Sequence, residues 1–187
     1  MKTEDDSTLK PERDIEVCKT IVKAFVSDWE KTPTLWLQEI DVQAELAHRM
    51  QQYFNLEARG QVCGRHSHWG TSKHFFRRVT CEPYVRLGNG YCHPDVVVWD
   101  DAPDGDPCAI NDGLWPMIMA LEIKYKSSTK EHDDADLNRL TALGTQGILT
   151  CWCPMWLCLT FPSSAPCCYC GRVSKGVEIV CGHASYQ

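Results

Sequence analysis

The chain has 187 residues, of which 43% are hydrophobic and 24% charged, and its formal net charge is −6. This length allows one domain with a substantial core and hardly two, and the composition is typical of a soluble globular protein. The acidic balance excludes a protein that coats nucleic acid with its whole surface. An anionic partner would have to be met by a local basic patch or through metal ions.

The N-terminal part predicts two helices after a polar segment. Residues 1–13 are charged and polar, and we expect them to be disordered. They contain no apolar signal segment, so we expect a cytoplasmic protein with reduced thiols. A helix is predicted over 14–29, where apolar residues recur at helical spacing. These residues are Ile15, Cys18, Val22, Phe25 and Trp29.

A second helix is predicted from about Leu35 to Phe54, and it carries a carboxylate on its apolar face. At about 100° per residue, Glu39 falls near the middle of the apolar stripe. The stripe residues within about 60° of it are Leu35, Val42, Leu46, Met50 and Tyr53. A buried carboxylate is costly unless something compensates it. Two interpretations stay open: Glu39 reaches solvent or pairs with an Arg at the edge, or it points into a charged site.

Strands dominate the middle of the chain. Strand-like pieces lie within 74–81 and 84–87, and buried strands are predicted over 94–99 and 117–125. A helix follows over 134–143 and ends at Gly144. The uncharged run 148–161 has 14 residues, fewer than the roughly 20 that a membrane helix needs, and Pro154 interrupts it. We interpret this run as buried strand, so no membrane association is expected.

Charged residues interrupt the two most apolar strands. Asp95 opens one strand, and Glu122 and Lys124 lie two apart in the other, so the last two share a face. Both strands look buried on both sides, so these charges need partners. If the strands form a hairpin, Asp95 comes alongside Glu122, and the two acids offer hard oxygen ligands of the kind that magnesium prefers.

This pattern resembles the PD-(D/E)xK nuclease superfamily, which includes many restriction endonucleases. The matching residues are Glu39 on a helix, Pro94-Asp95 at a strand, and Glu122-Ile123-Lys124 on the next strand. The resemblance implies an α/β fold with a restriction-endonuclease-like αβββαβ core, a central mixed sheet flanked by helices, an extra N-terminal helix and a short Cys-rich C-terminal tail. It implies a nuclease-like domain over 14–161, which residues 162–187 extend.

The resemblance also implies an activity and a role for each residue. Asp95, Glu122 and the backbone carbonyl of Ile123 would hold magnesium or manganese, and Glu39 would bind a second metal ion or orient a metal-bound water. Lys124 would position or deprotonate the attacking water. The implied function is metal-dependent hydrolysis of phosphodiester bonds, with double-stranded DNA as the expected substrate and a homodimer as one arrangement. The alternative is a nuclease-fold subunit that binds nucleic acid or a protein and does not cut.

One segment is basic in this acidic chain. Between Gly60 and Gly90 five basic residues stand against the single acid Glu82, with aromatic residues among them. This segment either contacts phosphates or forms a solvated strand face. The candidate nucleic-acid contacts are Arg65, Lys73, Arg77, Arg78 and Arg86.

The 12 cysteines offer a second metal hypothesis. Four residues near the C-terminus have ligand-type side chains, but their spacing departs from the usual zinc knuckle, so we favour reduced thiols over structural zinc. The four are Cys168, Cys170, Cys181 and His183.

Overall fold

The computed structural model describes residues 10–32, 35–36, 38–65, 72–101, 115–125, 135–136, 138–140, 142–143, 153–159 and 177–181. Two helices open the chain, α1 (Lys10–Lys31) and α2 (Glu39–Leu56). Nine strands follow among the residues just given. They are β1 (Gln61–Arg65), β2 (Lys73–Arg77), β3 (Val79–Cys81), β4 (Val85–Leu87), β5 (Gly90–Cys92), β6 (Val96–Trp99), β7 (Met117–Tyr125), β8 (Cys153–Leu159) and β9 (Val177–Cys181).

A five-stranded mixed sheet forms the centre of the fold. Its strand order is β3-β6-β7-β8-β9, and only the β7–β8 pair is parallel. A parallel pair needs a crossover connection, and the described residues between 135 and 143 in that connection are helical. Two further antiparallel ribbons, β1–β2 and β4–β5, stand outside this sheet. The predicted α/β class is confirmed.

The two helices cover one face of the central sheet. All five predicted stripe residues of α1 are buried, and α2 buries Val42, Leu46, Met50 and Phe54. These side chains form one core with Val96 and Leu121 of the sheet. Full burial of such a side chain contributes about 1.5–3 kcal/mol. The apolar stripes therefore dock both helices on this face.

The opposite face of the sheet is covered by the two ribbons and by the helical residues of the crossover. Val62 of β1, Val85 of β4 and Leu140 of the crossover share a second core with Val97 and Ala120 of the sheet. Strand alternation puts Ala120, Glu122 and Lys124 on one face of β7. The charged residues of β7 therefore belong to the ribbon side of the sheet.

Both helices begin at different residues from those predicted. Helix α1 starts at Lys10, so residues 10–13 are helical rather than disordered, because Pro11 and Glu12 both suit a first helical turn. Helix α2 starts at Glu39, where the Asp41 carboxylate accepts a hydrogen bond of 2.9 Å from the Gln38 backbone N–H. Leu35 thus lies outside the helix and is 67% exposed, which corrects its placement on the buried stripe.

The strands agree more closely with the sequence prediction. Strand β7 has the predicted bounds, β6 occupies 96–99 of the predicted 94–99, and β8 lies inside the apolar run 148–161. Strand β9, in the Cys-rich segment, was not predicted; it pairs with β8 at the sheet edge. Within the described ranges, neither helix is long and apolar enough to cross a membrane.

Candidate active site

Asp95 is held beside Glu122 by the pairing of two strands. The predicted antiparallel pairing is confirmed: Val96 lies opposite Leu121, so the residue before β6 comes alongside Glu122 of β7. The backbone N–H of Ile123 donates a 2.5 Å hydrogen bond to Asp95 Oδ2. The Asp95 side chain is thereby fixed at the start of β6, beside Glu122, and both residues are buried.

A buried side-chain amide of α2 binds the second carboxylate oxygen of Asp95. Gln43 Nε2 donates a 2.6 Å hydrogen bond to Asp95 Oδ1. Gln43 is buried, and among the described residues its Oε1 has no hydrogen-bond partner. A buried acceptor without a partner costs about 1–3 kcal/mol. Helix α2 thus contributes a polar group to the site at a cost in stability, which is typical of a functional position.

Lys124 is paired with two carboxylates. Its Nζ lies 3.0 Å from Glu122 Oε1 and 2.5 Å from Asp136 Oδ2. Asp136 is buried on the crossover helix, and it also forms an ion pair with Arg139. Lys124 is therefore held between two acids, which orient its Nζ.

Glu39 acts on the site through its charge. It is the first residue of α2 and is half-buried. Its carboxylate contributes to raising the pKa of both Asp95 and Glu122, so it lies near them. Asp95, Glu122 and Lys124 therefore lie together, and Glu39 is near enough for its charge to act on the two acids.

The two central carboxyl groups have perturbed proton affinities. Burial, and then repulsion from the Glu122 carboxylate, raises the pKa of Asp95 from 3.8 to about 7. Burial also raises the pKa of Glu122, although Lys124 opposes the change. Near neutral pH Asp95 is therefore partly protonated, because burial and the Glu122 carboxylate outweigh the effect of Lys124. Such perturbed groups cluster at functional sites.

These residues suit a divalent cation as a partial set of ligands. Within the part of the chain that the structure describes, no group of three His, Cys, Asp or Glu side chains is arranged to hold a metal ion. Asp95 and Glu122 nevertheless offer hard oxygen atoms, and a divalent cation would compensate the burial of both carboxylates. Magnesium is commonly bound by one or two carboxylates, with water and substrate phosphate as its other ligands. The donor type and the charge of the pair therefore fit such an ion.

The candidate nucleic-acid contacts divide into surface and buried residues. Lys73, Arg77 and Arg86 are exposed, and Arg65 is half-buried at the end of β1. Arg78 is 2% exposed, which contradicts its predicted role. It lies between β2 and β3, where its side chain points inward.

The partners of Arg78 explain its burial. Its guanidinium donates to the carbonyl oxygens of Arg59 and Trp99 at 2.6 and 3.1 Å and pairs with Asp101 at 2.5 Å. Arg78 therefore joins the end of α2 to the end of β6. It is a structural residue and not a phosphate contact.

The zinc hypothesis concerns residues that are mostly outside the described part of the chain. Cys168, Cys170 and His183 are outside it, and of Cys181 only the backbone, in β9, is described. The described part of the chain shows no disulfide at Cys18, Cys63, Cys81 or Cys92.

Sequence reasoning missed Gln43 and Asp136. Gln43 is four residues after Glu39 and lies on the same helical face, so a polar residue inside the apolar stripe was a detectable signal. Asp136 shares a helical face with the buried Leu140 and Leu143, which is a similar signal. Both residues are polar members of buried faces.

Comparisons of the chain with protein-family models, with curated proteins and with solved structures gave no match.

Proposed function

We propose that this chain is a metal-dependent nuclease of the PD-(D/E)xK type that hydrolyses phosphodiester bonds in DNA. One observation carries the proposal: Asp95 and Glu122 are buried side by side on adjacent strands, with Lys124 on the same face of β7. Two buried acids and a lysine are an unfavourable arrangement for a structural core. The arrangement becomes favourable when a cation and a phosphate complete it.

The order of elements supports the restriction-endonuclease-like core. Helix α2 carries Glu39, the antiparallel strands β3, β6 and β7 follow in order across the sheet, and β8 then pairs in parallel with β7. The crossover between β7 and β8 contains helical residues. This sequence of elements supports the αβββαβ order that the resemblance implies, with the β1–β2 ribbon inserted between α2 and β3 and the β4–β5 ribbon between β3 and β6.

The reaction adds water across a P–O bond of the nucleic-acid backbone. When bound by Asp95 and Glu122, with the Ile123 carbonyl as a further ligand, magnesium or manganese would supply Lewis-acid chemistry at the phosphate. Glu39 would orient water at the same region or help to hold a second ion.

The remaining residues hold and orient these groups. Gln43 and the Ile123 N–H fix the two oxygen atoms of Asp95. Asp136 holds the Lys124 ammonium on the site face, from which it can donate a hydrogen bond to a phosphate oxygen or to the attacking water. Lys124 thus contributes positive charge where negative charge develops in the transition state.

A plasmid-nicking assay tests the proposal. Supercoiled DNA is incubated with the full chain in magnesium, in manganese and in EDTA, and open-circle product is followed over time. We expect cutting with either metal ion and none in EDTA. Glu122→Gln and Lys124→Ala should each lower the rate by at least about a hundredfold, the scale of losing a positioned charge near the transition state.

Matched controls separate loss of chemistry from loss of folding. Glu30→Gln and Lys23→Ala change exposed residues of α1 and should cut at the wild-type rate. Glu122→Gln removes a buried charge, so its melting temperature should not fall below that of the wild type. Equal cutting by wild type, Glu122→Gln and Lys124→Ala would remove the enzyme proposal.

The second candidate is a nuclease-fold subunit that binds nucleic acid and does not cut. It is favoured by the pairing of Lys124 with both Glu122 and Asp136, which leaves the lysine engaged within the protein. DNA binding without metal-dependent nicking would support this candidate. Cutting both strands of a duplex would favour a homodimer. The location that we propose is the cytoplasm, where thiols stay reduced.

A further inference from the structure

The outer face of the β4–β5 ribbon is a cluster of exposed aromatic rings. Tyr84 and Tyr91 are 59% and 57% exposed, and their ring centroids are 5.7 Å apart. The ring of His93 lies 4.2 Å from that of Tyr84, and both contacts are edge-to-face. Arg86, opposite Tyr91 in the ribbon, adds a positive charge to the same face. The cluster therefore combines three rings with one cation.

The ribbon is built so that this face stays outside. Val85 and Cys92 point inward and belong to the core on the ribbon side of the sheet. A two-residue turn joins the strands, and Gly88 has a φ of +59° there, as a tight hairpin turn requires. The turn and the buried pair hold the rings outward.

The ribbon adjoins the candidate active site. His93 is separated from Asp95 by a single proline, and the Glu82 N–H, two residues before Tyr84, donates a 3.1 Å hydrogen bond to the Asp95 carbonyl. Both ends of the ribbon are thus tied to Asp95. Burial raises the pKa of the Cys92 thiol to about 11, and the Glu122 carboxylate adds to this effect, which places the ribbon close to that acid as well.

The rings and the neighbouring cations suit one class of ligand. Exposed tyrosines bind nucleic-acid bases by stacking, and nearby arginines contact the phosphates. The β1–β2 ribbon packs on the same core and presents Lys73 and Arg77 with Phe75, which is 71% exposed, on one face. In a duplex the faces of the bases are covered by their neighbours, so only unpaired bases can stack on protein rings.

We propose that the outer face of β4–β5 is a stacking platform for unpaired bases of the substrate strand beside the cutting site. This inference rests on the proposed nuclease function and narrows its substrate to single-stranded DNA, or to duplexes with an unpaired stretch at the cut. Tyr84 and Tyr91 bind the bases, and Arg86 contacts the backbone.

Binding of a labelled oligothymidylate to the full-length Glu122→Gln protein tests the inference, with a duplex of equal length as comparison. The measurement is made in EDTA, so it does not depend on cutting. We expect the single strand to bind at least about tenfold more tightly than the duplex. Tyr84→Ala and Tyr91→Ala should each weaken single-strand binding about fivefold or more, the effect of losing one stacked base.

Conservative and matched variants make the result specific. Tyr91→Phe keeps the ring and should bind like the parent, and Leu56→Ala, at a residue that is 88% exposed on α2, should have no effect. Equal affinity for both DNA forms, no binding of the single strand, or full binding by both tyrosine-to-alanine variants would overturn the inference. Failure of the proposed function is seen separately, as absence of nicking by the wild-type protein.

Discussion

Neutralising Asp95 should stabilise the protein while abolishing its activity. The Asp95 carboxyl has an ordinary pKa of 3.8 and a pKa of about 7 in the fold. Each tenfold change in proton affinity corresponds to about 1.4 kcal/mol, so keeping this group ionised at pH 8 costs the folded state about 4 kcal/mol. Asp95→Asn avoids that cost, and we expect a gain of about 1–4 kcal/mol in unfolding free energy.

The geometry around Asp95 accepts an asparagine. The new Oδ1 can accept the Ile123 N–H bond, and the new Nδ2 can donate to Gln43 Oε1 once that amide rotates by 180°. The rotation gives Gln43 Oε1 a donor and moves Nε2 to the buried position at which Oε1 has no hydrogen-bond partner among the described residues, so one amide atom stays unpaired as before. The expected gain in unfolding free energy for Asp95→Asn therefore does not require repacking of the core.

The contribution of Asp95 to the free energy of unfolding depends on pH. Between pH about 4 and about 7 the folded chain keeps a proton on Asp95 that the unfolded chain has released. Asp95 therefore contributes most to stability at the low end of this window, and its contribution is lost as the pH rises through about 7. The stability difference between Asp95→Asn and wild type should grow from pH 4 to 7 and then level off.

Urea unfolding in EDTA at several pH values measures this difference. Glu30→Gln, at an exposed residue of α1, is the control and should change the free energy of unfolding by less than about 0.5 kcal/mol. Added magnesium should stabilise the wild type and not Asp95→Asn, because only the wild type retains both carboxylates. An asparagine variant that is less stable than wild type at pH 8, or a pH-independent difference, would refute the electrostatic reasoning.

Three further substitutions test other parts of the structure. Gln43→Leu removes a donor to the Asp95 carboxylate, so the acid limb of the nicking pH profile should move to higher pH; an unmoved limb would exclude this role. Gly64→Ala places a Cβ inside the Trp115 ring, so urea unfolding should show a loss of about 1–3 kcal/mol. Arg78→Met should lower the unfolding free energy by about 3 kcal/mol without weakening oligonucleotide binding by the folded protein; weaker binding at unchanged stability would restore Arg78 as a phosphate contact.

Periodicity made the strands and the acid pair predictable. Side chains of a strand alternate between its two faces, so Glu122 and Lys124 share a face of β7 in any sheet arrangement. Asp95 comes alongside Glu122 provided that its strand pairs with β7. The 3.6-residue period likewise identified the stripe of α1. These features depend on local geometry, which a sequence specifies directly.

The remaining features depend on contacts that are distant in the chain. Gln43 matters because Asp95, 52 residues later, lies against it. From the sequence, Arg78 is indistinguishable from a surface cation. In the structure it lies at the break between β2 and β3, and its side chain points inward to the Trp99 carbonyl. The predicted start of α2 is four residues too early, because the helix is capped at Gln38 and glutamine is not among the preferred N-cap residues.

The connection between β6 and β7 divides the candidate site between two pieces of the chain. Gln43 and Asp95 precede it, whereas Glu122, Lys124 and Asp136 follow it. A gene split between codons 102 and 114 would therefore give two fragments, each with only part of the charged constellation. Because β6 and β7 are neighbours in the central sheet, mixing the fragments would restore cutting only on reassociation, and DNA nicking would become a direct signal of fragment complementation.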